Sequence, residues 1–438
     1  MSPRWPRRAG AWSCRRPNTR AASQIAVLRE TEYRRLFWGR TISLVGDGIA
    51  PVAIAFAVLE MGGSATDLGL VFAAHSLLIT ALVLAGGVFA DRISPRLAML
   101  RADALRALAM ATMAVLLIAG VAEVWQLALL YAIEGAGTAF FNPASDAIVP
   151  QVVAAERVQE ANALLNLSRS VGRTAGPALA GVLLALGTPG WAVAVDAATF
   201  ALSAAFLYRL RVPPKPAGAE PAFLSELRHG WREFSSRTWL WAIVLSAALS
   251  NAVFFAAFQV LGPVVADDSL GGSGAWALIA AAFGAGSIVG GLVALRIRPS
   301  RPLLIGEAAI CTIALPVALL AVPSTTVLIA IGALVCGGAI SLGTILYETT
   351  VIQNVPQASL SRVYAYDWFG SLALEPLGLA LVGPVAAGLG VSPTLWAAAA
   401  VLTTCQLGVL CVPSVRRMRA RPGAPAATPL LRPLDPGG

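Results

Sequence analysis

Three carboxylates stand inside long apolar stretches of this chain: Asp47, Glu134 and Glu375. An ionised group in hydrocarbon is costly, so residues of this kind are expected to serve function. Loss of water favours the neutral form of a carboxylate, which then exchanges a proton near neutral pH. We therefore predict that the three side chains couple proton movement to transport of a second solute. The structural alternative is that Asp47 or Glu134 pairs with Arg169 or Arg173 and pins two helices together.

A second group of residues is suited to line a cavity, because aromatic walls with a few polar groups bind large amphipathic molecules. The predicted cavity residues are Asn142, Arg169, Asn251, Phe254, Phe258, Gln259, Tyr366 and Asp367. For the aromatic members, anchoring in lipid or at its interface is an equal alternative. Four further acids stand near predicted helix ends and are expected to be solvated: Glu123, Asp196, Glu307 and Glu348.

The elements that must position these residues are membrane helices. The 438 residues are 57% hydrophobic and 13% charged, whereas a soluble domain carries about 25% charged residues. About 20 apolar residues suffice to cross a bilayer as a helix. Twelve such stretches are predicted: 40–60, 68–90, 99–120, 124–146, 163–187, 191–209, 239–264, 275–295, 302–321, 325–347, 363–388 and 394–412.

The basic residues predict the orientation of the chain. Six alternate connections contain no Lys or Arg: Glu60–Leu68, Gly120–Glu123, Gly187–Gly190, Ala266–Gly274, Ala321–Ser324 and Leu389–Pro393. Positive charge stays on the cytoplasmic side during insertion, so both termini are predicted to lie on the cytoplasmic side of the cell membrane. The net charge of +9 then suits the anionic inner leaflet, and membrane lipid rather than nucleic acid is the expected partner.

Three short motifs recur in the same order, at offsets of 204, 206 and 207 residues. Residues 90–95 resemble 294–299, residues 149–151 resemble 355–357, and residues 176–181 resemble 383–388. A duplicated six-span unit places a substrate site between its halves near the membrane midplane. The predicted organisation is a tail (1–39), a six-helix half (40–210), a linker (211–238), a second six-helix half (239–412) and a disordered cytoplasmic tail (413–438).

The linker and the N-terminal tail each allow two interpretations. Phe223, Leu227, Trp231 and Phe234 recur at helical spacing and predict an amphipathic helix. It would lie on the cytoplasmic membrane face or pack against the underside of the protein. The first 28 residues, rich in Arg and nearly free of acids, fit a disordered cytoplasmic tail better than an organelle transit peptide.

One motif carries a family resemblance. Residues 87–96, Gly-Val-Phe-Ala-Asp-Arg-Ile-Ser-Pro-Arg, resemble the signature Gly-x-Leu-Ala-Asp-Arg-x-Gly-Arg-Lys of the major facilitator superfamily. The resemblance implies twelve transmembrane helices in two pseudo-symmetric six-helix halves, an all-α integral membrane fold. It implies a cytoplasmic gate built from Gly87, Asp91, Arg92 and Arg96. Ser94 and Pro95 depart from the signature; the alternative for Asp91 and Arg92 is a simple interfacial ion pair.

The fifth predicted span resembles the antiporter motif of this superfamily's drug exporters, through Gly172, Gly176, Pro177 and Gly181. Small residues four apart permit close helix contact. On the fourth span, Tyr131 stands where many exporters carry an arginine. Residues 43–48 and 141–163 resemble the subgroup that contains macrolide and enterobactin exporters.

These features together predict a secondary transporter that exports a hydrophobic or amphipathic small molecule by alternating access. Lys215 is the only lysine, and it stands between two prolines, so this chain contains no phosphate loop ending in Gly-Lys-Ser/Thr. We expect no metal and no cofactor beyond the proton gradient, and the resemblance implies a monomer. The alternatives are an uptake permease of the same fold and a non-transporting membrane sensor or scaffold. An intramembrane enzyme is not expected, because no nucleophile–base pair is visible.

Overall fold

The computed structural model describes residues 26–92, 94–212, 231–322, 325–356 and 359–420, with only the helical backbone described for 83–92. Over these residues the chain forms an all-helical bundle. The first half contains α1 (Thr31–Glu60), α2 (Ala65–Arg92), α3 (Pro95–Ile118), α4 (Val124–Val152), α5 (Val158–Leu186) and α6 (Pro189–Tyr208). The second half contains α7 (Thr238–Leu270), α8 (Ser273–Arg296), α9 (Pro302–Ala321), α10 (Thr326–Asn354), α11a (Leu360–Leu372), α11b (Glu375–Leu389) and α12 (Val391–Cys411).

Ten helices of the described chain are long and apolar enough to cross a membrane. The helices α3 and α5 are equally long but carry charged side chains, among them Asp103 and Arg106 on α3 and Arg169 on α5. Asp103 and Arg106 are buried inside the bundle, and Arg169 faces the central cavity. Because their charges are turned away from lipid, both helices span the membrane with the others, as in the twelve-helix major facilitator fold.

Each half is a bundle in which both consecutive and non-consecutive helices pack together. In the first half α1 packs against α5 and α6, α3 against α4 and α6, and α2 against α4. In the second half α10 packs against α8 and α9, and α12 against α7 and α9. The halves meet along two seams, α5 with α8 and α2 with α11b.

Both seams close at the end of the bundle opposite the termini. Gly69 and Gly383 bring α2 and α11b together, because a Cβ atom at either position would overlap the backbone of the facing helix. On the other seam, a Cβ on Gly181 would lie 2.5 Å from the Cβ of Ala277. The central cavity therefore ends at this closed seam and reaches residues near the other end of the bundle, such as Asp146 and Glu348.

Two helices of the second half are irregular where they border the cavity. Helix α7 contains π-helical turns at Ala256–Leu261 and Ala266–Leu270. The eleventh span, predicted as continuous, breaks between Leu372 and Glu375, so that Glu375 is the first residue of α11b. Irregular backbone at membrane depth is tolerated where it is covered by protein or lines a cavity.

Three predicted boundaries differ from the structure. Helix α1 begins at Thr31, within the predicted tail. The tail predicted to be disordered from residue 413 starts with a short helix, Pro413–Arg417, in which Val415 is fully buried. Residues 231–235 of the linker are helical, and Phe234 is buried, which favours packing against the protein's underside at this end. Phe223 and Leu227 lie outside the described residues.

The antiporter-like motif of α5 forms the contact with α1. A Cβ on Gly172 would lie 2.5 Å from the carbonyl oxygen of Leu44, and one on Gly176 would lie 2.5 Å from the Cα of Gly48. Pro177 lies in the same contact, because its Cδ would be 3.3 Å from a Cβ on Gly48. In lipid, helices associate through such close packing, since burial of apolar surface gives little net driving force.

We expect Gly176→Ala to destabilise the protein by about 1–3 kcal/mol, because the added methyl group must push α1 and α5 apart. The measurement is the melting temperature of the purified protein in detergent, followed by intrinsic tryptophan fluorescence. Gly408→Ala on α12 is the matched control, since a Cβ there meets open space. Equal melting temperatures for the two variants would contradict the close contact.

Candidate functional site

A central cavity of about 910 Å³ lies between the two halves. Helices of both halves contribute to its wall, with apolar residues such as Leu44, Phe72 and Phe283 between polar ones. Its charged and ionisable lining residues are Arg40, Asp47, His75, Tyr131, Glu134, Asp146, Arg169, Arg173, Asp196, Glu348 and Glu375. The three predicted coupling carboxylates thus share one cavity.

Arg106 on α3 lies behind the cavity wall and connects three helices. Its Nε donates to Oε1 of Glu134 on α4 at 2.8 Å, and its Nη2 donates to Oδ1 of Asp47 on α1. Its Nη1 lies 3.4 Å from Oδ1 of Asp103, one turn earlier on α3. The guanidinium lies over the ring of Phe200 on α6, 3.8 Å from the centroid. Because only 1% of Arg106 is exposed, these partners replace water around its charge.

Glycines of α4 make room for this arrangement. A Cβ on Gly137 would lie 2.5 Å from Cγ of Arg106, and one on Gly135 would lie 2.5 Å from the carbonyl oxygen of His75. Gly135 thereby lets α4 approach α2 closely. Thr138, one turn after Glu134, adds a further contact, because its hydroxyl donates to Oε1 of Glu134 at 2.8 Å.

His75 on α2 binds the second oxygen of Glu134. Its Nε2 lies 2.7 Å from Oε2 of Glu134, and its ring stacks on Tyr131 with centroids 4.0 Å apart. Tyr131 is the residue that stands in place of the exporter arginine. A basic side chain nevertheless reaches Glu134, because Arg106 supplies it from the neighbouring helix.

The cluster around Arg106 has more acids than bases. Asp47, Asp103 and Glu134 contact one guanidinium, and His75 adds a positive charge only when it is protonated. Like charges repel strongly away from water, so protons or cations are attracted to such a group. The site therefore has the composition needed to bind and release protons.

The proposed structural pairing of Asp47 or Glu134 with Arg169 or Arg173 is wrong, since Arg106 is the partner of both carboxylates. Arg169 instead donates to Oδ1 of Asp146 at 2.8 Å and to Oδ1 of Asn166 at 3.0 Å. Glu375 faces His75 and Ser76 of α2 across the gap between the halves. Asn142, Arg169 and Gln259, all predicted for the cavity, lie in its lining.

The structure places the other five predicted cavity residues elsewhere. Phe254 and Phe258 stack at 5.2 Å and are buried in the core, because the aromatic face of α7 is turned toward α8. Asn251 ties α7 to α11a by donating to the Ser371 carbonyl at 3.0 Å. Tyr366 packs against Trp231 and Phe234 of the linker. Asp367 accepts a hydrogen bond from the Tyr347 hydroxyl at 2.6 Å.

Three of the acids predicted to be solvated are not at the outer surface. Asp196 is 0% exposed and Glu307 is 5% exposed, while Glu348 lines the cavity. Asp196 lies about two turns inside α6, and its side chain is turned inward. Glu123, at the loop before α4, is exposed as predicted.

Of the predicted gate, Arg96 is the residue with a described side chain. Its Nε donates to the Leu207 carbonyl at 3.0 Å and its Nη2 donates to the Tyr208 carbonyl at 2.5 Å. It thus satisfies free carbonyls at the C-terminus of α6, a favourable place for a cation. The side chains of Gly87, Asp91 and Arg92 lie outside the described residues.

His75, Asp103 and Arg106 were not predicted from the sequence, and Asp196 was expected to be solvated although its side chain faces inward. A signal existed for Arg106, because it is a base within the predicted third span. Asp103 stands three residues earlier, on the same helix face. His75 lacked a recognisable motif, and its role depends on contacts between helices.

The chain matches a family model described as "Transmembrane secretion effector" over residues 22–432. It is 24% identical over 266 residues to macrolide efflux protein A of Streptococcus pyogenes, a match that covers 60% of this chain and 65% of that protein. It is 26% identical over 405 residues to the enterobactin exporter EntS of Citrobacter koseri, and this match covers 91% of this chain and 96% of that exporter.

Solved structures show the same fold. A bacterial homologue of the human lysosomal transporter Spinster, in an inward-facing and unoccupied conformation, matches with a TM-score of 0.70 and 16% identity, covering 91% of this chain and 99% of the homologue. The nucleoside transporter NupG matches with a TM-score of 0.67 and 13% identity, covering 86% of this chain and 98% of the transporter.

We expect Arg106→Gln to destabilise the protein by about 3–5 kcal/mol, because it leaves buried carboxylates without their partner. Adding Glu134→Gln in the same chain should recover part of this loss, since one stranded charge is removed. Thermal unfolding of the single and double variants measures the coupling. Arg173→Gln serves as the control, because among the described residues its side chain has no hydrogen-bond or ion-pair partner. Additive effects of the two substitutions would contradict the cluster.

Proposed function

The chain belongs to the transmembrane secretion effector family of major facilitator transporters, and on that premise we propose that it exports an amphipathic small molecule in exchange for protons. The proposal depends on one observation above all: Arg106 is held between Asp47 and Glu134 beside the central cavity. Protons and substrate would compete for the charged groups at this place.

The chemistry follows from the charges. With Asp47 and Glu134 ionised, Arg106 is neutralised and α1, α3 and α4 are held together. A proton on Glu134 removes its attraction for Arg106, so the guanidinium then depends on Asp47 and Asp103. Loss of one partner of a buried ion pair costs about 3–5 kcal/mol, which is enough to shift an equilibrium between two conformations of the bundle.

Alternating access fits the two seams of the fold. The seams close the cavity at the end opposite the termini, and the cavity lining extends to Asp146, whose side chain is 66% exposed. With both termini in the cytoplasm, as the basic residues predict, this conformation is open to the inside. Export requires the close glycine contacts of Gly69, Gly181 and Gly383 to separate while the opposite end closes.

The cavity is suited to an amphipathic substrate. Its volume of about 910 Å³ lies within the range of small-molecule sites, roughly 300–1,000 Å³. Phe72, Phe283 and Leu379 supply apolar surface, and Gln259 and Asn142 supply hydrogen-bonding groups. The direction of transport is proposed from the relatives, two of which are named for efflux or export.

We further propose that the transporter acts in the cell membrane as a monomer surrounded by lipid. Its energy source is the proton gradient, and it needs no bound cofactor. Glu375 joins the coupling group from the second half, because it faces His75 across the cavity. Proton occupancy at Glu134 is thereby linked to contact between the halves.

We expect the wild-type protein to lower the accumulation of erythromycin or ethidium in an efflux-deficient bacterial host, and a protonophore to abolish this effect. Glu134→Gln, Asp47→Asn or Glu375→Gln should raise accumulation to the level of cells that lack the protein, because the neutral amide cannot exchange a proton. The measurement is cellular content at equal protein abundance in the membrane.

Glu123→Gln is the control, since this acid is exposed at the loop before α4. Higher accumulation in cells with the wild-type protein would instead identify an uptake permease. Export that persists with the protonophore and in all three variants would rule out proton coupling through this group.

A further inference from the structure

Asp196 on α6 is a fully buried carboxyl group without hydrogen bonds. It is 0% exposed, and neither Oδ1 nor Oδ2 has a hydrogen-bond partner among the described residues. The nearby Thr199 hydroxyl donates its hydrogen to the main-chain carbonyl of Asp196 at 2.7 Å. Among the described residues, an ionised carboxylate in this place would lack the hydrogen bonds and the contacting cation that buried charges normally have.

The carboxyl group occupies a notch left by a glycine of α1. Oδ1 of Asp196 and the hydroxyl oxygen of Thr199 both lie where a Cβ of Gly46 would be. Asp47, the next residue along α1, lines the cavity and contacts Arg106. Asp196 itself is among the residues that line the same cavity.

The ionisable groups that interact with Asp196 are Asp47 on α1, Arg106 on α3, and Tyr131 and Glu134 on α4. Arg106 is already surrounded by three carboxylates. A fourth negative charge at Asp196 would find no free cation in contact with it among the described residues.

We propose that Asp196 is a second proton-binding site, neutral in this conformation, which exchanges its proton directly with the central cavity that it lines. This inference rests on the proposed proton coupling. When the cavity is open to the outside, a hydronium ion protonates the Asp196 carboxylate and is left as water. When the cavity is open to the inside, the Asp196 carboxyl group returns this proton to water there, and the carboxylate is restored. Asp196 and Glu134 would thus allow two protons to enter for each molecule exported.

Infrared difference spectroscopy of the purified full-length protein in lipid tests the protonation state without a substrate. At neutral pH, wild type minus Asp196→Asn should contain a carboxylic C=O stretching band that shifts in D2O. Carboxylate stretching bands in its place would show that Asp196 is ionised and would overturn the proposal. Gly46→Ala is a second variant, because its methyl group forces the carboxyl out of the notch and should shift the same band.

Transport separates a proton-exchanging Asp196 from a structural one. In proteoliposomes with erythromycin as the probe, Asp196→Asn should halve the number of protons moved per molecule exported. Glu123→Gln, at an exposed acid in the loop before α4, should leave that ratio unchanged. A wild-type ratio in Asp196→Asn would mean that Asp196 holds its proton permanently, and the second site would be rejected.

The two proposals fail in different ways. If Glu134→Gln and the protonophore leave export intact, then the proposed proton coupling itself is wrong. If they abolish export while Asp196→Asn keeps the wild-type ratio, then coupling stands with one proton site fewer.

Discussion

The constraint on which the first half depends is the burial of one guanidinium inside a membrane protein. Removing Arg106 from water costs several kcal/mol, and only close, well-oriented partners recover that cost. Those partners come from α1, α3 and α4, and the Phe200 ring comes from α6. Four helices must therefore hold one relative position while the cluster is ionised. A proton that neutralises one partner acts on all of them at once.

Close packing at glycines is the second condition, because the carboxylates reach Arg106 only if the helices nearly touch. Gly135 sets the distance between α2 and α4, and Gly137 leaves space for the Arg106 side chain itself. The same device forms the seams between the halves at Gly69 and Gly383. Contacts between small residues are weakened by small separations, since dispersion attraction falls steeply with distance. They are therefore suited to surfaces that must part and re-form.

The fold could be predicted from the sequence, whereas most contacts of the site could not, and the reason is physical. Apolar length and the internal repeat predicted twelve helices in two halves, and the resemblance of residues 87–96 implied the major facilitator fold, which the structure and the family match bear out. Which side of a helix faces the cavity depends on its neighbours. Phe258 on α7 is turned toward α8, and Asp196 lies near a helix end yet points inward. Arg106 was visible as a base within a span, but its partners Asp47 and Glu134 lie on other helices, and no local pattern encodes contacts between helices.

The absence of an arginine at position 131 illustrates what the coupling group requires. Electrostatic attraction depends on where the charge lies, and the helix that carries it is immaterial. Arg106 reaches Glu134 from α3, and position 131 is then free for a tyrosine whose ring stacks on His75. That stacking holds the imidazole between Glu134 of the first half and Glu375 of the second. A guanidinium on α3 thus leaves room on α4 for the contact between Tyr131 and His75, which lies between the proposed proton site and the second half and which an arginine at position 131 would displace.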